Sequence, residues 1–150
     1  LYFGNLKKCS VSVVALPSMK RLELSNKKAL SSKKNLKFLY EVDTAVTKAG
    51  LISELSNKNL YVYRKFLTSN FKIKNDFFKN RFKVLYSRKY SFKKIMNVLK
   101  TNNFGKVVLR QKVNPKEYWQ LRNKYENKLS GKKTAHLFID EHETILCEKL

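Results

Sequence analysis

Acidic side chains are scarce in this chain. Asp and Glu number 11 against 33 Lys and Arg, a formal net charge of +22. Self-repulsion on that scale opposes compaction and is tolerated where the normal partner is a polyanion. Cysteine is nearly absent too. Cys9 and Cys147 stand near opposite ends and neither belongs to a CxxC pair, so there is no disulfide framework. The expectation is two reduced, partly buried thiols. Long apolar runs are also missing. The longest, around Val11 to Leu16, is ended by Pro17 and falls far short of the roughly 18 residues of a membrane span. No long helix with one basic and one apolar face of the membrane-surface type is found. A P-loop, a G-x-G-x-x-G and a nucleophile elbow are all lacking. The chain begins at Leu1 rather than Met, so a leader is taken to be missing, and its first residues have no signal-peptide pattern.

What is present is apolar material enough for a core: 43% hydrophobic and 13% aromatic residues. That excludes a wholly disordered basic tail. At 150 residues the chain is one domain, or two small ones sharing a core. Lys supplies 27 of the cations and Arg only six. Lys, Asn, Phe and Tyr abound while Gly and Pro are few, as an A/T-rich coding genome would give. The charge is uneven. Between Ser56 and Lys116 a single acid, Asp76, faces 17 Lys and Arg. With Tyr and Phe interleaved, this is the electrostatic footprint of a nucleic-acid binder.

Along the chain, VSVVAL (Val11 to Leu16) reads as a buried strand or a helix end, and Arg21 to Leu24 as a short strand. Ser25 to Asn35 is a polar, basic connection. Phe38, Leu39, Val42, Ala45, Val46 and Ala49 recur at spacings of three and four, which predicts a helix over Leu36 to Ala49. Gly50 then stands where a C-cap takes positive φ. Strands are predicted at Leu60 to Tyr63, Phe71 to Lys74, Phe82 to Tyr86, Ile95 to Leu99 and Lys106 to Arg110, with a turn at Thr101 to Gly105. A second helix has an Asn114 cap, Pro115 at its first position and Glu117 at the capping-box position. Tyr118, Leu121, Tyr125 and Leu129 form its stripe and Gly131 ends it. The tail from His136 to Leu150 holds one short apolar run and a cluster of acids, read as a solvated, mobile patch.

Four constellations bear on chemistry. His136, Asp140, His142 and Cys147 are metal-ligand types, but H-x5-H-x4-C lacks the closely paired ligands of zinc sites, so no metal is expected. Asp140, Glu141 and Glu143 read as solvated acids, not catalysts. KAGLISELS (Lys48 to Ser56) is superficially similar to the LAGLIDADG homing-endonuclease signature. The carboxylate position of that signature is Leu55 here, the other acidic position is Ser53, and Glu54 is out of register. Without the carboxylate there is no metal-assisted phosphodiester cleavage, and no enzyme activity or cofactor is expected. The fourth constellation is basic: Lys93, Lys94, Lys100, Lys106, Arg110 and Lys112 flank candidate strands and a turn, and Lys132, Lys133 and Thr134 follow. Lys neutralises phosphates as a point charge, whereas Arg suits bidentate base reading. The Lys excess therefore favours backbone binding, as helical RNA is read by shape.

The order of segments resembles the ribosomal protein eight family of the small subunit, in a divergent, mitochondrial form. LYFGN (Leu1 to Asn5) is similar to the end of that family's first helix, with Gly4 and Asn5 swapped. Ser31 to Lys34 through Gly50-Leu51-Ile52 resembles its P-x-S-K-L-K, helix, E-G-F-I region, with Leu30 in place of the Pro. Lys83 to Arg110 resembles its L-K-Y strand and I-x-x-V-S-K-P-G-x-R-V-Y, matched at Tyr86, Ile95, Val98, Lys100, Gly105 and Val108. Thr134 to Asp140 resembles its S-T-S-K-G-x-x-T-D turn, with Leu137 in place of the Gly. Either Glu143 to Cys147 is a degenerate form of the family's closing G-G-E-L-L strand, or the chain stops before it.

The resemblance implies an α+β fold of two small α/β domains packed side by side, with mixed short sheets and few helices. The domains expected are residues 1–97 and an RNA-binding 98–150. It also implies a structural constituent of the small ribosomal subunit that binds the central domain of its rRNA through a basic C-terminal domain and stabilises the platform; the alternatives left open are another basic RNA-binding protein of an organelle and, ranked last, a homing-type nuclease. Thr134, Ala135 and His136 would line the RNA turn, and Lys100, Asn103, Lys106 and Arg110 would sit on adjacent phosphates. Ser32 and Lys33 would make a secondary contact. The implied partners are small-subunit rRNA and neighbouring ribosomal proteins, with no membrane and no small-molecule substrate. The implied place is a mitochondrial ribosome, or another ribosome of an A/T-rich genome.

Overall fold

The computed structural model describes residues 10–25, 27–110 and 113–150 in an α+β fold. By its contacts the chain divides after Arg81. The boundary expected after residue 97 falls instead inside a helix, Phe92–Thr101. Cys9, Lys112 and the Leu1 to Asn5 segment lie outside the described residues.

In the first unit, strands β1 (Ser12–Ala15) and β2 (Lys20–Glu23) form an antiparallel hairpin. Strands β3 (Phe38–Val42), β4 (Tyr61–Tyr63) and β5 (Phe66–Ser69) pair antiparallel in the order β4-β5-β3. The helix predicted over Leu36 to Ala49 is divided between the five residues of β3 and the five of helix α1 (Thr44–Lys48). The three-and-four spacing is real, but Asp43 breaks the segment. Its carboxylate accepts from the Ala45 amide at 2.8 Å and starts the helix there. Gly50 ends α1 at φ 71, as expected.

Phe71 to Lys74, predicted as a strand, is irregular. It is pinned by the buried Tyr40, whose hydroxyl donates to Phe71 O at 2.7 Å and accepts from Ile73 N at 2.9 Å. The strand of this region is β5, one turn earlier. Tyr40, Val46, Leu51, Leu60, Leu67 and Phe77 centre the core of this unit.

Strand β6 (Phe78–Arg88) carries the chain into the second unit. There follow α2 (Phe92–Thr101), β7 (Phe104–Leu109), α3 (Pro115–Glu126), β8 (Lys133–Ile139) and β9 (Thr144–Lys149). Ile95 to Leu99, predicted as a strand, is helical. Ile95, Met96 and Leu99 point inward while Lys93, Lys94, Asn97 and Lys100 point outward, a helical period hidden in a short apolar run. β6 and β8 flank β9 antiparallel, and β7 pairs parallel with β8. α2 and α3 pack into one core with Val107, Leu109, Leu137 and Leu146. The acidic tail is therefore no loose end but the β8–β9 hairpin. No helix among the described residues is long and apolar enough to cross a membrane.

Candidate nucleic-acid interface

Because β7 and β8 are parallel, their amino ends meet at one edge of the second unit. Phe104 lies opposite Lys133, and Lys106 opposite Thr134. The turn from α2 arrives at the same edge. Asn103, at φ 59, donates its amide to Lys100 O at 3.1 Å and accepts Lys133 N at 3.2 Å on its carbonyl. Asn is among the residues that tolerate this left-handed region.

Two glycines permit the approach. A Cβ on Gly105 would lie 1.8 Å from Gly131 O, and one on Gly131 would lie 2.1 Å from Asn103 O. Gly131 is thus a close-contact glycine rather than the end of α3, which stops at Glu126. The result is a rim of Lys100, Asn103, Lys106, Lys132, Lys133 and Thr134, all exposed. Glu148 tempers it by pairing with Lys133 at 3.0 Å.

Lys93 and Lys94 are exposed on the first turn of α2. Lys93 and Lys100 share one outer face, about 10 Å apart along the axis. Other sequence-predicted residues do not join the rim. Arg110 follows the far end of β7, half-buried. Its Nε donates to His136 Nδ1 at 3.3 Å, and its guanidinium lies 6.0 Å from the Phe82 ring centre.

Ala135 and His136, expected to line an RNA turn, are interior. They lie within β8 and are 0% and 7% exposed. Thr134 to Asp140 forms a strand and its end, and Leu137, in the place of the family's Gly, is a fully buried core residue. Ser32 and Lys33 belong to the first unit. The Ser32 hydroxyl donates to Lys34 O at 2.6 Å in a local turn, and Lys33 is exposed.

The metal candidates do not converge. Among the described residues no group of three or more His, Cys, Asp and Glu could hold an ion. His136 and Cys147 are register partners in β8 and β9. Burial pushes the Cys147 thiol well above its ordinary range, so it stays protonated. Asp140 instead shapes the β8–β9 turn by accepting the His142 and Glu143 amides at 2.9 Å each. In KAGLISELS, residues Ile52–Leu55 are a 3-10 turn. Glu54 accepts from the Ser25 hydroxyl at 2.5 Å and its amide at 3.2 Å. The hydroxyl bond holds its carboxyl below the usual range. That carboxylate is a tether.

Sequence reasoning missed some exposed aromatic groups. Trp119 is 61% exposed on α3, with the Arg122 guanidinium 5.2 Å from its ring centre. Its signal was available: the stripe Tyr118, Leu121, Tyr125 leaves position 119 facing outward. Tyr90, 48% exposed, follows β6 in a connection that carries no periodicity.

No protein-family model matches this chain. No curated protein matches it either. A crystal structure of a protein from Porphyromonas gingivalis W83, provisionally named a methyltransferase, is similar to it with a TM-score of 0.52 and 17% identity. The likeness covers 83% of this chain but 31% of that one, so this chain spans less than a third of that protein's length. At this identity it speaks to the fold alone.

Proposed function

We propose that this chain binds RNA through the sugar-phosphate backbone, with the rim at the amino ends of β7 and β8 as the phosphate-contacting surface. One juxtaposition carries the reading: Lys100, Lys106, Lys132 and Lys133 stand exposed together with the polar Asn103 and Thr134. Lysines supply the charge that displaces counterions from phosphate, and the amide and hydroxyl groups fix register. In its narrower form the RNA is the central domain of small-subunit rRNA, and the chain is a structural constituent of an organellar ribosome. The order of the four sequence segments supports that form. The burial of Ala135 and His136 removes two of its contacts.

A second reading is favoured by the likeness of fold to part of a protein provisionally named a methyltransferase. In it the same basic surface presents RNA to a methyl-transferring enzyme.

The test is binding of the full chain to structured RNA, with Lys100→Glu and Lys132→Glu introduced together. Loss of roughly ten- to a hundredfold in affinity, with circular dichroism unchanged, is the expected result for removed phosphate contacts. Wild-type chain that binds no RNA at low salt ends the proposal. Crosslinked RNA sequenced from extract then separates the forms. Reads in the central domain of small-subunit rRNA support the ribosomal one, and reads elsewhere overturn it.

A further inference from the structure

An apolar cleft of about 260 Å³ opens in the second unit, lined by Tyr90, Leu109, Leu121, Tyr125 and Ile139. Leu109 and Ile139 are the last residues of β7 and β8, so the cleft lies at the carboxyl ends of the two parallel strands. This is the end of the sheet opposite the lysine rim, roughly 20 Å away by strand length. Drug-sized ligand pockets run to about 300–1,000 Å³, so this one suits a single small ring system.

We infer that this cleft receives one unpaired nucleobase of a bound RNA, stacked on Tyr90. The inference rests on the RNA-binding reading above and deepens it. Four observations converge. The walls are aromatic and aliphatic, and the Tyr90 ring is half exposed, a face against which any base stacks. The polar content is a pair of hydroxyls: Tyr90 and Tyr125 oxygens lie 3.1 Å apart. One donates to the other, which leaves one O–H and spare lone pairs for the edge of a base. Burial and the Tyr90 hydroxyl push the Tyr125 phenol above its ordinary range, so it remains a donor.

Cations stand close behind. The Lys124 and Lys128 ammonium groups lie 5.2 and 5.6 Å from the Phe92 ring centre, and that ring is 5.3 Å from Tyr125. None of the lining residues is acidic. The nearby Glu126 carboxylate is spent on Val107 N at 2.7 Å and Arg122 Nε at 2.8 Å. A planar, apolar-faced guest with a polar edge and an attached anion is a nucleotide. The outer face of α2, with Lys93 and Lys100, joins the rim to this end of the unit.

The experiment measures affinity of the full chain for a single-stranded oligoribonucleotide and for a fully paired RNA duplex of equal length. Wild type is compared with Tyr90→Ala, with Tyr90→Phe and with the Lys100→Glu, Lys132→Glu pair. Tyr90→Ala is expected to weaken single-strand binding about 5- to 100-fold, the range for one lost base stack, and to leave duplex binding unchanged. Tyr90→Phe, which keeps the ring, should retain most of the affinity. Equal loss on both RNAs, or no loss on either, overturns the inference while the rim reading stands. Displacement of the oligonucleotide from wild type by equimolar free adenosine monophosphate also overturns it, because the cleft would then be a free-nucleotide site. If wild type binds neither RNA, the RNA-binding reading itself has failed.

Discussion

Gly105 and Gly131 are the residues on which the rim turns. Each approaches backbone of the other's segment closer than any Cβ allows, and backbone cannot rotate aside as a side chain can. Gly105→Ala should cost about 3 kcal/mol, the upper part of the range for overpacking. It should weaken RNA binding as the α2–β7 turn and β8 part. Urea unfolding and RNA titration on the same preparation check both effects.

Cys147 and Tyr125 add a second residue-scale prediction. Both groups have pKa values raised by burial in the folded chain. A raised folded pKa means that stability is present below the unfolded pKa and declines as pH rises past it. The unfolded thiol ionises near about 8.5 and the phenol near about 10. The urea midpoint should therefore hold through neutral pH and fall from about pH 8.5 upward. Cys147→Ala should remove the earlier part of that fall. A midpoint flat to pH 11 in wild type would contradict it.

At the scale of elements, α3 is the one whose start is written most plainly. Asn114 accepts the Lys116 amide on its side chain at 3.1 Å, and Pro115 follows at the first helical position. Asn114→Ala should cost about 1 kcal/mol, read as a lower unfolding midpoint. The cap was legible because capping is local: a side chain meets an amide two residues on. β3 was not legible because Phe38 to Ala49 satisfies a helical period and a strand equally. The tie was broken by pairing with β5, in which Leu39 faces Thr68. The same holds for Ile95 to Leu99, an apolar run too short to declare its period.

At the scale of the whole molecule, a net charge of +22 makes salt the governing variable. If four lysines of the rim each neutralise a phosphate, log affinity should fall with log salt at a slope of about −3 for single strands. Replacing Lys132 by Ala should make that slope shallower by about 0.7. Titrations at 50, 100 and 200 mM salt (about) measure it against the roughly tenfold steps expected for such slopes. A slope near zero would mean that the cations do not meet phosphate at all.

The sequence by itself determined the net charge of +22, the bias of Lys over Arg, and the lack of nucleotide-loop and nucleophile motifs. These are sums or short patterns, and a sum does not depend on how the chain folds. Strands β2, β4, β6 and β7 and helix α3 were also local enough to be read. Which cations stand together was decided only by tertiary structure. Lys100 and Lys133 are far apart in sequence, and parallel pairing of β7 with β8 around two glycines brings their segments to one edge. The same pairing turned Ala135 and His136 inward. Along a strand, successive side chains point to opposite faces: Ala135 enters the core that α2 and α3 share with the sheet, and on the other face the His136 ring lies 5.1 Å from that of Phe82.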